Sequence, residues 1–207
     1  MSPDSATTAS SSKRARTRAR LIETAHALFL EKGVQRTSLQ DIAARAGVTK
    51  GAIYSSFRSK EELVAAVAAA TAIALKPALS PGMEIEAMLE ALGAEAVSRM
   101  PQVKARAALA AEFSLYALTH EDLRRLMEAD QAKAYAAVLE QAERLLPSDL
   151  ALSPRQVVLM LQALTVGFFQ QRTLYPSLYA DEDVMAAFRA IGLALRSARP
   201  SNDDAAM

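Results

Sequence analysis

TSLQDIAARAGVTKGAIYSSFRSKEEL, residues 37–63, contains two short helical patterns on either side of a glycine. Either Thr37 or Ser38 supplies a hydroxyl to cap the first, and Gln40, three residues past Thr37, suits a capping box. Leu39, Ile42, Ala43 and Ala46 recur at helical spacing, so this helix is short and apolar on one face. Gly47 follows at once, where a left-handed residue closes a helix without a Cβ clash. Val48 is an apolar plug and Thr49 a second N-cap. Lys50–Ser56 then reads as a second short helix whose apolar members are Ile53 and the Tyr54 ring. Ser59 with Glu62 gives a further capping box, opening the next helix. Helix, glycine turn and helix is the helix-turn-helix plan, in which the second helix enters the major groove of DNA.

Outward from this stretch, charge is segregated. Residues 1–60 hold 11 Lys+Arg against 4 Asp+Glu, a balance of +7; residues 61–207 hold 13 against 19, a balance of −6. A basic block joined to an acidic one points to a polyanionic partner for the first part alone. Residues 1–12, MSPDSATTASSS, carry almost no bulky apolar side chain and are expected to be a disordered tail. KRARTRAR, residues 13–20, holds five cations and no acid, as an arm tracking phosphates or reaching a minor groove would. A helix is expected from about Ala15 to Lys32, with Leu21, Ile22, Ala25, Leu28 and Phe29 in one stripe and Gly33 as its cap. His26 lies one place off that stripe, with no Cys or second His near it, so no metal site is expected.

Three blocks in order, ALFLEKG (Ala27–Gly33), TSLQDIAARAGVTKGAIYSSF (Thr37–Phe57) and SKEEL (Ser59–Leu63), resemble the DNA-binding domain of the TetR (tetracycline repressor) family. The likeness runs from about Thr17 to Val64, roughly a quarter of the chain. One departure concerns Ser55 and Ser56, which stand where many relatives carry bulky aromatic or His residues after the recognition-helix Tyr. The resemblance implies an all-α protein: an N-terminal three-helix helix-turn-helix domain followed by a larger helical ligand-binding and dimerisation domain. It also implies a ligand-responsive transcriptional regulator, a repressor, that binds a palindromic operator as a homodimer and is released by a small, hydrophobic effector. Candidate base contacts are Gln40, Lys50, Ala52 and Ser55, and Gly51 admits close backbone approach. Candidate phosphate contacts are Thr37, Ser38, Thr49, Tyr54, Ser56 and Lys60, with Tyr54 and Lys60 carried over from the family. Ser38 and Thr49 would equally serve only as caps.

The expected domains are the tail 1–12, the helix-turn-helix domain 13–60 and the effector and dimerisation domain 61–207. A helix from Lys60 to about Lys76 joins the halves, and Pro77–Gly82 punctuates the chain after it. Beyond it, helices are expected at about 83–99, 102–118, 121–146, 154–174 and 181–198, with a break at Pro101. Val157, Leu161, Leu164 and Phe168 are spaced 4-3-4, as are Val184, Phe188, Ile191 and Leu195. Such stripes suit helices packed side by side. They are either core or, as the family's paired C-terminal helices imply, a dimer interface. Met88, Phe113, Tyr116, Met127, Tyr135, Met160, Phe169 and Tyr175 are candidates to line an effector pocket, and equally to fill a helical core.

With 51% apolar residues the chain has ample material for a core, and with no Cys it has no disulfide framework, which fits a cytoplasmic protein. No apolar run approaches the ~18 residues of a membrane span, and the polar N-terminus is not expected to be a signal peptide. No G-x-S-x-G, H-E-x-x-H or phosphate loop occurs, and His26 and His120 lie in different expected domains, so neither catalysis nor a cofactor is expected. The alternative function is a DNA-binding regulator without a small-molecule effector, controlled by a protein partner or by its abundance.

Overall fold

Leu21, Ala25, Leu28 and Phe29 are all buried along one side of a helix that ends at Lys32, where Gly33 takes a left-handed φ of +83°. The computed structural model describes the backbone of residues 4–197 and the side chains of residues 13–196. Its helices are α1 (Asp4–Lys32), α2 (Leu39–Arg45), α3 (Lys50–Ser56), α4 (Lys60–Thr71), α5 (Ile85–Thr119), α6 (Glu121–Leu145), α7 (Pro154–Leu174) and α8 (Asp181–Ser197). No strand occurs among the described residues, and the protein is all-α. Helical backbone is described from Asp4, earlier than the start expected near Ala15; residues 1–3 lie outside the described part. Once a helix is nucleated, each further residue adds a hydrogen bond at little cost, so the Ala-containing leader extends the packed segment.

The chain divides into two compact units. The first comprises Met1–Ala72 and Ala108–Gln131, the second Ile73–Ala107 and Ala132–Met207. These divisions differ from the expected boundary after residue 60, because α4 belongs to the first unit, as do the end of α5 and the start of α6. Their contribution is apolar. Leu109, Phe113, Tyr116 and Leu123 join the core formed by α1, Ile42, Ile53, Phe57, Leu63, Val64 and Val67. Phe29 and Phe113 meet edge to face, with ring centroids 6.1 Å apart. A domain of about 60 residues buries a comparatively small share of its surface, and each large side chain fully buried adds about 1.5–3 kcal/mol.

Two more helix limits differ from expectation. α4 stops at Thr71, not near Lys76; the Thr71 hydroxyl donates back to the Val67 and Ala68 carbonyls, and Ala72 leaves the helix with ψ 140°. Pro101 does not break the chain into two helices, since α5 runs through it. An interior proline costs about 3 kcal/mol, and burial of Ala96 and Met100 on the preceding turns helps to offset this.

In the second unit Ile85, Leu89 and Ala96 of α5 pack with Val157 of α7 and Val184, Phe188 and Leu195 of α8. Close approach depends on glycine. A Cβ on Gly192 would stand 3.0 Å from the Glu86 backbone, and one on Gly93 3.2 Å from the Phe188 side chain. Arg196 of α8 closes the contact with an ion pair to Glu86 at 2.7 Å. Both 4-3-4 stripes are therefore core: Val157, Val184, Phe188 and Leu195 are buried, and Leu161, Leu164, Phe168 and Ile191 pack against them. All eight residues thus serve the core of their own unit. Leu161, Leu164, Phe168 and Ile191 are only half-buried, and the outward face of α7 also carries the exposed Leu159, Val166 and Leu174.

Candidate DNA-binding surface

Short-range chemistry sets the ends of α2 and α3. Ser38, not Thr37, is the N-cap of α2: its Oγ accepts from the Asp41 N–H, and the Asp41 carboxylate accepts from the Ser38 N–H at 2.9 Å. The capping box is thus Ser38–Asp41, and Gln40 is left free of it. The Ser38 hydroxyl and backbone N–H hold the Asp41 carboxyl below the usual range. Gly47 closes α2 with φ +62°; its N–H reaches the Ala44 carbonyl and that of Val48 reaches Ala43, the Schellman pattern. Thr49 caps α3 by accepting from the Ala52 N–H at 3.2 Å. Ser59 caps α4 through the Glu62 N–H, but no reciprocal box forms, because the Glu62 carboxylate takes the Arg58 N–H instead.

Glu31 and Arg45 fasten α1 to α2 by a two-pronged ion pair at 2.7 and 2.9 Å. That pairing lowers the Glu31 carboxyl and raises the Arg45 guanidinium. With α2 and α3 so held, Gln40, Lys50, Gly51, Tyr54 and Ser55 are exposed, while Ala52 and Ser56 are half-buried. Gln40 Nε2 lies 3.4 Å from the Tyr54 hydroxyl, and the Lys50 ammonium lies 6.0 Å from the Tyr54 ring. Around Gly51 an added Cβ would meet only Thr49 Oγ1, at 3.9 Å. A cleft of about 310 Å³ opens beside this group, lined by Gln35 to Gln40, Tyr54 and Lys60.

Four expected contact residues make hydrogen bonds within the protein. Thr37 is buried, and its hydroxyl donates to the Gly33 carbonyl at 2.8 Å, so it holds the turn before α2. The Ser55 and Ser56 hydroxyls both donate to the Ala52 carbonyl, at 2.9 and 3.0 Å. Lys60 donates to the Gln35 carbonyl at 3.2 Å, with its ammonium 5.3 Å from the Tyr116 ring. Burial lowers the Lys60 ammonium pKa, against the opposing charges of Glu61 and Glu112. Beside it, burial raises the Tyr116 phenol. Burial also pushes the Glu61 carboxyl up, but hydrogen bonds from its own backbone N–H and from Ser59, with the His120 charge, outweigh that and hold it low.

The family model described as "Bacterial regulatory proteins, tetR family" matches residues 21–67, which span α1 to α4. The chain carries a TetR-family domain. Over 51 residues it is 57% identical to the HTH-type transcriptional regulator TtgR of Pseudomonas putida, a match covering 25% of this chain and 24% of that protein. Over 48 residues it is 54% identical to the probable acrEF/envCD operon repressor of Escherichia coli K12, covering 23% of this chain and 22% of the relative. The matches thus span about a quarter of these relatives. The flavonoid-responsive regulator FrrA shares the fold across most of the chain, with TM-score 0.67, 22% identity, and coverage of 90% of this chain and 99% of FrrA.

The TetR-family domain also shows what sequence patterns missed. Glu112, 78 positions further on, accepts a hydrogen bond from the Val34 N–H and fills the space where a Gly33 Cβ would stand. The eight effector candidates do not gather in one unit. Phe113, Tyr116 and Met127 belong to the first, where they pack on its core. Met88, Tyr135, Met160, Phe169 and Tyr175 belong to the second. There Met160 and Phe169 flank the core, Tyr135 lies beneath Arg155, and Tyr175 caps α7 half exposed.

Proposed function

We propose that the protein is a homodimeric transcriptional repressor that binds a palindromic operator through α2–α3 and is released by a small apolar effector. The observation that carries it is the exposed group Gln40, Lys50 and Tyr54 on a doubly capped helix-turn-helix within a TetR-family domain. Gln40, Lys50, Ala52 and the edge of Ser55 read bases; Ser38, Thr49, Tyr54, Ser56 and Lys60 touch phosphates, and Gly51 lets the backbone approach. Phosphate contacts position the protein and base contacts specify sequence.

A second copy joins through the outward faces of α7 and α8, where Leu159, Val166, Leu174 and Leu193 are exposed. A palindrome presents two equal half-sites about one helical turn apart, which a two-fold dimer matches. Repression has support from the E. coli operon repressor, and effector release from the flavonoid-responsive FrrA. Met88, Met160 and Phe169 in the second unit are the residues on which an apolar effector would pack. Selection of bound sequences from random double-stranded DNA tests the function. It should enrich an inverted repeat, and enrichment of no sequence overturns it.

A further inference from the structure

The geometry points to Arg14 and Arg18 as positioning residues that hold the C-terminal end of the recognition helix, not as phosphate contacts. The inference rests on the DNA-binding function proposed above and assigns to α1 a part in base reading.

A helix leaves its last carbonyls without intrahelical partners, and its C-terminus carries partial negative charge. Many helices meet this with a left-handed glycine or a basic side chain in the last turn. α3 has neither: its last turn holds no cation, its C-cap is Phe57 in an extended conformation, and Arg58 follows. The missing groups come from α1. Arg18 Nη1 donates to the Ser56 carbonyl at 2.6 Å and Arg14 Nη2 to the Ser55 carbonyl at 3.1 Å. The Arg18 guanidinium also lies 4.1 Å from the centroid of the fully buried Phe57 ring and 3.7 Å from the Glu62 carboxylate. One side chain thus touches the last residue of α3, its C-cap and the first turn of α4.

Position along α1 makes this possible. At 100° per residue, residues 14 and 18 share the side of Leu21 and Ala25, whereas Lys13, Arg16 and Arg20 fall on the other side and are exposed. The basic block therefore has two faces with two duties. A helix of seven residues has little stiffness of its own, and base contacts tolerate only fractions of an ångström. Anchoring both ends, Thr49 at the start and the arginines at the finish, sets the angle at which Lys50, Ala52 and Ser55 meet base edges.

The test begins with the operator selected by the wild-type protein. Arg18→Gln and Arg18→Lys are then measured on that operator and on scrambled DNA across a salt series, and Arg18→Gln is carried through selection from random DNA. Positioning predicts that Arg18→Gln lowers the operator-to-scrambled ratio by at least about tenfold, the worth of one good base contact. Scrambled-DNA affinity and salt slope should stay at wild-type values, selected sequences should blur at the bases facing the end of α3, and Arg18→Lys should recover part of the ratio. A phosphate contact would instead weaken both DNAs alike and flatten the slope by about 0.9, which overturns the inference. If Arg18→Gln does not fold, Arg14→Gln, on the exposed side of the pair, is judged by the same criteria. If the wild-type protein selects no sequence, the DNA-binding function itself falls and takes this inference with it. If it selects one and the variant selects the same at an unchanged ratio, only the inference falls.

Discussion

Gln40 and Lys60 line the same cleft but are expected to respond differently to substitution. Gln40→Ala should cost about 1–3 kcal/mol on the operator and little on scrambled DNA, as loss of a base contact does. Lys60→Ala should weaken both and flatten the salt slope by about 0.9, because its ammonium stands at the rim of the cleft beside Gln35. Unchanged affinities for Lys60→Ala would show that its bond to Gln35 and the Tyr116 ring occupies it fully. The α2 cap gives a second prediction. Ser38→Ala should destabilise the protein by about 1 kcal/mol. Because the Asp41 carboxyl is held low in the folded state, the stability it contributes is present above its unfolded pKa and lost as pH falls through the folded value. The difference in denaturation midpoint between wild type and Ser38→Ala should therefore narrow on acidification below the ordinary carboxylate range. A difference that persists there would mean that the cap does not need an ionised Asp41.

Helix junctions owe their geometry to left-handed glycines at two places, and these should differ in cost. Gly47→Ala meets no neighbouring atom within 4 Å, so only the positive φ of +62° opposes it. An L-residue there costs roughly 1–2 kcal/mol. Gly33→Ala carries the same backbone strain at φ +83° and adds a Cβ only 2.8 Å from Glu112 Oε1. It should be the more destabilising of the two, and Glu112→Ala in the same chain should recover part of the excess. Thermal melts of the two single variants and the double variant decide this; equal losses for Gly33→Ala and Gly47→Ala would remove Glu112 from the junction. Glu112 also ties the end of α5 to the first unit, since its carboxylate is the partner of the backbone N–H between α1 and α2.

Assembly distinguishes the two sides of α7. Val166→Glu or Leu159→Glu, on the outward face, should leave a folded chain that sediments as a monomer and binds the operator weakly, since a buried unpaired charge is costly. Phe188→Ala, in the core of the second unit, should instead cost about 3–5 kcal/mol of stability. A Val166→Glu dimer of wild-type affinity would place the interface elsewhere. Effector and operator should also oppose one another. Linkage makes the coupling reciprocal, and 1–3 kcal/mol, about 5–150-fold, is ordinary. A ligand found by thermal shift, titrated with and without operator, should bind more weakly in its presence; equal affinity would favour a regulator without an effector.

The helix-turn-helix was legible from residues alone because its determinants are local. Ser38, Gly47, Thr49 and Ser59 act on backbone groups within five positions, and the apolar spacing of Leu39, Ile42, Ala43 and Ile53 needs no knowledge of distant chain. Tyr54, which spacing grouped with Ile53 as an apolar member of α3, is instead exposed, while Ile53 is fully buried. Contacts across long separations were beyond such signals. Periodicity says which face of a helix is apolar but not what covers it, so the stripes on α7 and α8 read equally as interface or core, and it is the fold that packs Phe188 beside Gly93. Likewise a cation count cannot tell a phosphate ligand from a carbonyl cap. Only the folded chain turned Arg18 onto Ser56, 38 positions away, and Lys60 onto Gln35, 25 positions away, because burial and packing choose partners by distance in space.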